Sequence, residues 1–228
     1  MVKEINLLKR NDISFNNISL KLYKDFFKNI LCNRVFLYIL EDNRKIKLLF
    51  EETHFLHILG AHHILGGNYK ASKFNEEIEL GNMTFEELEK RNNVKFNDFT
   101  DRFLNFANFY YTITNCSMIY FDKDVYNNTK NGEKESKMDF KYILYNDLNN
   151  KIIHAGLDTY NKGRSFYCKS LIITSIQNKK IINNQIPINI KTIIVEDKKT
   201  KKQIFKNDLI INSVNSMNIF TRGIGQAK

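Results

Sequence analysis

The spacing of apolar residues changes about halfway along the chain, and this change restricts the fold more than any other feature. Before residue 115, apolar residues recur every three or four positions, as on the buried face of an amphipathic helix. After residue 115, short runs of β-branched and aromatic residues are separated by Asn, Asp, Gly and Lys, which is typical of strands joined by turns. Helices followed by an antiparallel meander indicate an α+β fold rather than an alternating α/β fold.

The first half is predicted to contain helices and one β-hairpin. The hairpin joins Arg34–Leu40 to Lys45–Phe50 through the polar residues 41–44, whose length and composition suit a tight connection. Thr84 and Glu87 form a capping box, which favours the start of a helix. Residues 68–83 are polar and are predicted to form a loop. The predicted helices span Phe15–Leu31, Thr53–Leu65, Thr84–Arg91 and Asp98–Ile113.

The second half is predicted to be a sheet, and residues 1–228 are predicted to form a single domain. The helices and hairpin of residues 1–114 would pack on the antiparallel sheet of residues 115–211, and residues 212–228 would be a tail. The predicted strands are Met118–Phe121, Asp139–Tyr145, Lys151–Leu157, Ser165–Ser175, Lys191–Val195 and Lys202–Ile211.

Charge, cysteine content and hydropathy limit the partners and compartments that we expect. Thirty-five Lys and Arg against 25 Asp and Glu leave a net charge of +10, which favours a polyanionic partner. Three cysteines without C-x-x-C spacing argue against a disulfide scaffold or a thiolate zinc site, and they favour the cytoplasm. No segment reaches the ~18 uncharged apolar residues that a membrane helix needs, so we expect no membrane association.

Histidines are concentrated in one predicted helix. Four of the five, His54, His57, His62 and His63, lie within ten residues, and the fifth, His154, lies on a predicted strand. Because imidazole titrates near neutral pH, one of these rings could act as a general acid or base. No carboxylate completes an H-E-x-x-H zinc motif, so no metal site is predicted. The alternative for each histidine except His57 is a structural role.

A second candidate feature is the predicted strand that follows Gly163. Strand alternation puts Ser165, Tyr167 and Lys169 on one face, a row of hydroxyl, phenol and ammonium groups that could hold a phosphate. Arg164 could add a bidentate phosphate contact. An ordinary solvated sheet face is the alternative interpretation.

Several well-known catalytic motifs do not occur in the sequence. There is no Walker A loop, glycine-rich dinucleotide motif, nucleophile elbow or carboxylate cluster, which disfavours nucleotide triphosphate hydrolysis, Rossmann redox chemistry and two-metal nuclease chemistry. Cleavage of RNA by its own 2′-hydroxyl needs an acid, a base and a cation near the phosphate, and this chain offers all three. No cofactor is therefore predicted.

The segment His57-Ile58-Leu59-Gly60 resembles phage- and mobile-element-associated nuclease-like domains of the barnase, EndoU, colicin and RelE-like (BECR) superfamily. In that family a strand ending in Phe, here Phe50, precedes a helix bearing His-Leu-x-Gly. The similarity covers residues 15–195 and includes Ser165-Phe166-Tyr167, whereas Ala61-His62-His63 stands where the family pattern has Leu-x-Lys-Leu. The resemblance implies helices packed on a small antiparallel sheet and metal-independent ribonuclease activity, usually as a toxin or conflict effector.

We therefore predict a metal-independent endoribonuclease that acts on RNA as a toxin or phage-defence effector. An antitoxin or another inhibitory partner would restrain it. The predicted catalytic residues are His57, His154, Arg164, Ser165, Tyr167 and Lys169, and the predicted nucleic-acid-binding residues are His54, His62, His63, Lys162 and Ser170.

Other functions fit the same residues. An ADP-ribosyltransferase could hold NAD with Arg, Tyr, Ser and His on a split sheet, although Glu196 is only a weak candidate for its glutamate. A non-catalytic nucleic-acid- or protein-binding module would use the lysines as a surface and the aromatic residues as core. A basic protein whose charge reflects codon usage is the least specific alternative.

Overall fold

The computed structural model describes residues 13–128, 135–136, 138–160 and 163–209. The predicted tail at 212–228 and the predicted RNA-binding residue Lys162 lie outside the described residues. The helices are α1 (Leu20–Phe26), α2 (Phe55–Leu59), α3 (His62–Leu65), α4 (Ala71–Glu79), α5 (Phe85–Arg91), α6 (Asn93–Asn105), α7 (Phe109–Thr114) and α8 (Lys123–Asn128). The strands are β1 (Arg34–Leu40), β2 (Lys45–Leu49), β3 (Ser117–Tyr120), β4 (Tyr142–Leu148), β5 (Lys151–Tyr160), β6 (Ser165–Ser175), β7 (Ile186–Ile188), β8 (Ile190–Asp197) and β9 (Gln203–Asp208).

The strands of the described residues form one curled sheet, in the order β7-β3-β4-β5-β6-β2-β1-β8-β9. Neighbouring strands are antiparallel, except that β2 runs parallel to β6. The N-terminal hairpin β1–β2 lies between β6 and β8, so strands from both halves of the chain share the sheet. The predicted α+β class is confirmed.

Aromatic side chains fill the space between the helices and the sheet. The hydroxyl of Tyr23 donates to the carbonyl of Phe103 at 2.9 Å, and that of Tyr38 donates to the carbonyl of Ile113 at 2.9 Å. Both tyrosines are completely buried. Burying a large apolar side chain contributes about 1.5–3 kcal/mol, and a buried phenol keeps that gain only if its hydroxyl finds a partner. Tyr23 on α1 and Tyr38 on β1 are therefore core residues.

The predicted loop at residues 68–83 is wrong, because Ala71–Glu79 form α4. This helix buries only Phe74 and Ile78, which lie four positions apart and therefore on one face. Most of the other residues in the segment are polar, so its composition is that of a loop although Phe74 and Ile78 have helical spacing.

The predicted helix at Thr53–Leu65 is interrupted in the middle. Gly60 adopts a left-handed backbone with φ of +77°, a conformation that favours glycine, and this residue separates α2 from α3. The aromatic helix starts earlier than predicted, because Asn92 caps the start of α6 by accepting the Lys95 N–H at 3.0 Å. It is also divided, since a 3-10 turn at Phe106–Asn108 separates α6 from α7.

The six predicted strands correspond to β3, β4, β5, β6, β8 and β9, of which β6 has the predicted bounds and the others differ by a few residues at their ends. Residues 210–211 of the last predicted strand lie outside the described residues. The short strand β7 and the helix α8 were not predicted. Among the described residues, no helix is both long enough and apolar enough to cross a membrane.

Candidate active site

The parallel pairing of β2 and β6 places the histidine segment against β6. Leu49, the last residue of β2, is the register partner of Tyr167 on β6. The chain then passes through a 3-10 turn at Glu52–His54 into α2, which contacts β6. The ring of His54 consequently lies on that of Tyr167, with 5.2 Å between their centroids.

The turn before α2 also fixes the hydrogen-bonding state of His54. The backbone N–H of Glu51 donates to Nδ1 of His54 at 3.2 Å, so in this arrangement Nδ1 is an acceptor and the neutral ring carries its hydrogen on Nε2. Burial lowers the pKa of His54, although the Glu51 carboxylate opposes the shift. His54 is therefore a neutral hydrogen-bond donor at neutral pH.

The left-handed turn at Gly60 brings three more imidazoles together. His57 on α2 is exposed, and its ring lies 4.6 Å from that of His62; the rings of His62 and His63 on α3 are 3.9 Å apart. Burial, together with the nearby charges of His63 and His57, lowers the pKa of His62 to about 4. Nδ1 of His62 is buried and has no hydrogen-bond partner among the described residues.

Arg102 on α6, which is not among the predicted site residues, joins this cluster. Its guanidinium carbon lies 4.8 Å from the centroid of the Phe99 ring, which stacks on His63 at 5.0 Å with 12° between the planes. The half-buried Arg102 has a pKa lowered to about 10 by burial, a shift that Cys168 opposes. Because Arg102 follows Phe99 by three positions, the two share a helix face, and this spacing was the available signal.

The predicted phosphate-binding row on β6 is rearranged by a β-bulge. Gly156 pairs with Ser170 and Leu157 pairs with Cys168, so Lys169 is an extra residue between them. The Lys169 ammonium donates to the Asp158 carboxylate at 2.9 Å and to the Asp139 carbonyl at 3.0 Å. Its charge is thus balanced inside the protein.

Tyr167 lies at the site, next to two acidic neighbours, Asp158 and Asp139. Burial, followed by the charge of Asp158, raises the pKa of Tyr167. Its ring lies 6.0 Å from that of Tyr160, whose hydroxyl donates to Glu51 at 3.0 Å. Tyr167 is therefore a phenol that stays protonated and stands between His54 and the Lys169–Asp158 pair.

The remaining predicted residues do not join the histidine cluster. Arg164 is exposed in the turn before β6, Ser165 is only 4% exposed, and Ser170 is half-buried. His154 is completely buried on β5, where its Nε2 lies 3.0 Å from the Thr174 hydroxyl, and burial lowers its pKa to about 4.

No group of three or more His, Cys, Asp and Glu side chains is arranged to hold a metal ion in the part of the chain that the structure describes. The exposed acids next to Arg102 are engaged elsewhere: Asp98 pairs with Lys95 at 3.2 Å and Asp101 pairs with Lys151 at 2.7 Å. The cluster of His57, His62, His63 and Arg102, which we call the histidine–arginine cluster, thus combines imidazoles and a guanidinium with no carboxylate within ion-pairing distance of Arg102 among the described residues.

The chain matches a protein-family model. The model of the family described as phage-Barnase-EndoU-ColicinE5/D-RelE like nuclease 4 matches residues 20–212, which include every helix and strand of the described structure. No curated protein and no solved structure matches the chain. The resemblance found in the sequence is confirmed.

Proposed function

We propose that this chain, which belongs to the phage-Barnase-EndoU-ColicinE5/D-RelE like nuclease 4 family, is an endoribonuclease that works without a metal ion. Family membership gives a nuclease-type function and a nucleic-acid substrate. The choice of RNA rests on one observation: the exposed His57 stands beside two further imidazoles and a guanidinium, next to a strand that carries Tyr167. These groups suit a reaction in which the substrate supplies its own nucleophile.

In the proposed reaction, His57 removes the proton from a ribose 2′-hydroxyl. The 2′-oxygen forms a bond to phosphorus, the bond from phosphorus to the 5′-oxygen breaks, and the leaving oxygen takes up a proton from water. The products are a 2′,3′-cyclic phosphate and a free 5′-hydroxyl. The Nε2–H of His54 and the hydroxyl of Tyr167 donate hydrogen bonds near the phosphate, where negative charge grows in the transition state.

The proposal assigns other roles to several residues that the sequence suggested. His154 and Ser165 have too little exposed surface to contact a substrate. Lys169 holds Asp158 beside Tyr167 and so supports the phenol. Arg164, which is exposed at the start of β6, is free to contact RNA outside the reacting group.

We further propose that the enzyme is a toxin or phage-defence effector of the cytosol. Uncontrolled cleavage of cellular RNA harms the cell that makes the nuclease, so an antitoxin or another inhibitory partner would restrain it. The net charge of +10 supports RNA as the partner, and it predicts binding that weakens with salt.

The test is incubation of the purified chain with total cellular RNA in EDTA, followed by mapping of the product ends. We expect fragments that carry 2′,3′-cyclic phosphates, and we expect them to disappear in His57→Gln. Tyr111→Phe, a change at an exposed tyrosine on α7, is the control, and thermal melting checks that each variant folds. Intact RNA, or cleavage that persists in His57→Gln, would contradict the proposal.

A further inference from the structure

Arg102 is a half-buried cation, and no carboxylate of the described residues forms an ion pair with it. Among the described residues, the two acids closest to it along α6 already form ion pairs, Asp98 with Lys95 and Asp101 with Lys151. A charge withdrawn from water is costly unless it is paired. Arg102 therefore attracts an anion, and none of the described residues supplies one.

The surroundings of Arg102 hold its guanidinium in a fixed place. The ring of Phe99 lies against it, and Gly60 packs so closely that a Cβ on that residue would stand 2.6 Å from Nη1 of Arg102 and 2.6 Å from the Phe99 ring. Only glycine combines this approach with the left-handed backbone that Gly60 adopts. The break between α2 and α3 thus serves two purposes, since it gathers the histidines and makes room for Arg102.

The two imidazoles beside Arg102 are neutral at neutral pH while no anion is bound. Burial lowers the pKa of His62 and of His63, and the charge of Arg102 lowers both further. Nδ1 of His62 is buried and has no hydrogen-bond partner in the part of the chain that the structure describes. An anion bound by Arg102 would bring acceptor oxygens to these rings and would remove the electrostatic cost of protonating them.

We propose that Arg102, His62 and His63 form a binding site for a backbone phosphate of the RNA. The planar guanidinium matches two phosphate oxygens at once, and the imidazoles bind the remaining oxygens. The ring of His57 lies 4.6 Å from that of His62, so the phosphate held in this site is the one next to the reacting 2′-hydroxyl. This assignment rests on the proposed function, and it makes Arg102, rather than Lys169 or Arg164, the residue that holds the scissile phosphate.

The experiment measures binding without cleavage, using a fluorescent 2′-O-methyl oligonucleotide, which lacks the attacking hydroxyl. Arg102→Gln is compared with Arg34→Gln, a matched control because Arg34 also lies on an aromatic ring, 5.1 Å from the centroid of Tyr110. We expect Arg102→Gln to weaken binding about tenfold or more. It should also reduce the slope of log affinity against log salt concentration by the amount of about one phosphate contact, while Arg34→Gln binds as the parent does.

Two further variants keep the test decisive if Arg102→Gln folds poorly. Arg102→Lys retains the charge without the planar fork and is expected to show intermediate binding. His63→Gln changes an exposed ring, so it should fold, and it is expected to weaken binding a few-fold. Unchanged binding in both Arg102 variants, or an equal loss in Arg34→Gln, would overturn the proposal.

The outcome separates this inference from the proposed function. Oligonucleotide binding that depends on Arg102, in a protein that leaves natural RNA intact, would preserve the phosphate site and reject the nuclease. Cleavage that needs His57 but is indifferent to Arg102 would preserve the nuclease and reject the phosphate site.

Discussion

His62 and His154 have the same low pKa, about 4 in each case, for different reasons. At His154 burial alone causes the shift, and the ring bonds Thr174 between two strands. At His62 burial acts together with the charges of His63, His57 and Arg102. A low pKa therefore does not by itself identify an active site. The neighbours do, because apolar surroundings stabilise a neutral ring, whereas a nearby cation such as Arg102 also attracts an anion.

The largest expected effect is on the cleavage rate, and it should distinguish the histidine–arginine cluster from the buried surroundings of His154. Replacing the proton-transfer group in His57→Gln should lower RNA cleavage by about 10²–10⁴-fold. Its free energy of unfolding should change by less than about 0.5 kcal/mol, because the side chain is exposed. Single-turnover cleavage and urea unfolding measure the two quantities. A large loss of stability with little loss of cleavage rate would mean that His57 has a structural role and not a catalytic one.

His154→Ala should show the opposite profile. Removing a completely buried ring leaves a cavity and an unpartnered Thr174 hydroxyl, so we expect a loss of about 2–4 kcal/mol in unfolding free energy. The cleavage rate of the folded fraction should stay the same. A rate that falls tenfold or more in protein shown to be folded would place His154 in the reaction after all.

The third prediction concerns the stability of the protein in acid. Because the folded pKa of His154, about 4, lies below its ordinary 6.5, the unfolded chain takes up the proton first as the pH falls. The contribution of neutral His154 to the free energy of unfolding is therefore fully present above pH 6.5. It declines towards pH 4, by about 3 kcal/mol for a fully buried ring. His154→Leu should remove this part of the decline in urea unfolding followed across that range.

The carboxylate of Glu79 loses its contribution to stability at a lower pH than His154 does. The ammonium groups of Lys24 and Lys21 lower the pKa of Glu79 to about 2, so the contribution of Glu79 is lost only as the pH falls below its usual 4.5. If His154→Leu and the parent lose stability equally between pH 6.5 and 4, burial of His154 does not control this region.

Much of this architecture could be predicted from the sequence, and the predictions that were wrong or missing have identifiable reasons. Strand β6, Ser165–Ser175, was predicted with its observed bounds, because the residue pattern that indicates a strand lies within one continuous segment. The parallel pairing of β2 with β6 joins Leu49 to Tyr167, and no local pattern encodes a contact between such distant positions. Helix α4 was missed because two buried residues, Phe74 and Ile78, are too few to outweigh a polar composition.

The candidate site divides in the same way. The histidines of the cluster were visible because all three, His57, His62 and His63, are close in sequence. Arg102 was missed because the aromatic residues of α6 were interpreted as core alone. Its environment also depends on Gly60, which lies between α2 and α3 and is distant from Arg102 in the sequence. The pairing of Lys169 with Asp158 depends on a bulge between β5 and β6, a register detail that alternation does not reveal.

Inorganic phosphate should distinguish the two low-pKa histidines directly. A phosphate bound at Arg102 would favour the charged form of His62, so its pKa should rise by about one unit when phosphate is added. The pKa of His154, which is buried away from the cluster, should not move. Imidazole resonances followed by NMR across pH, with and without phosphate, report both. Equal shifts at the two rings would indicate a general ionic effect rather than a site.

The smallest expected effect tests how far the active region extends along β6. In Tyr167→Phe the ring that His54 contacts at 5.2 Å is retained and only the hydroxyl is lost, so the site keeps its shape. The loss of one neutral hydrogen bond to the phosphate should slow cleavage about three- to tenfold, since such a bond contributes ~0.5–1.5 kcal/mol. Tyr111→Phe, which removes an exposed phenol hydroxyl from α7, should have no effect on the rate. A slower rate in Tyr167→Phe alone would extend the active region from the histidine–arginine cluster to β6. Equal rates in the two variants would confine it to the cluster, and Tyr167 would then only support His54.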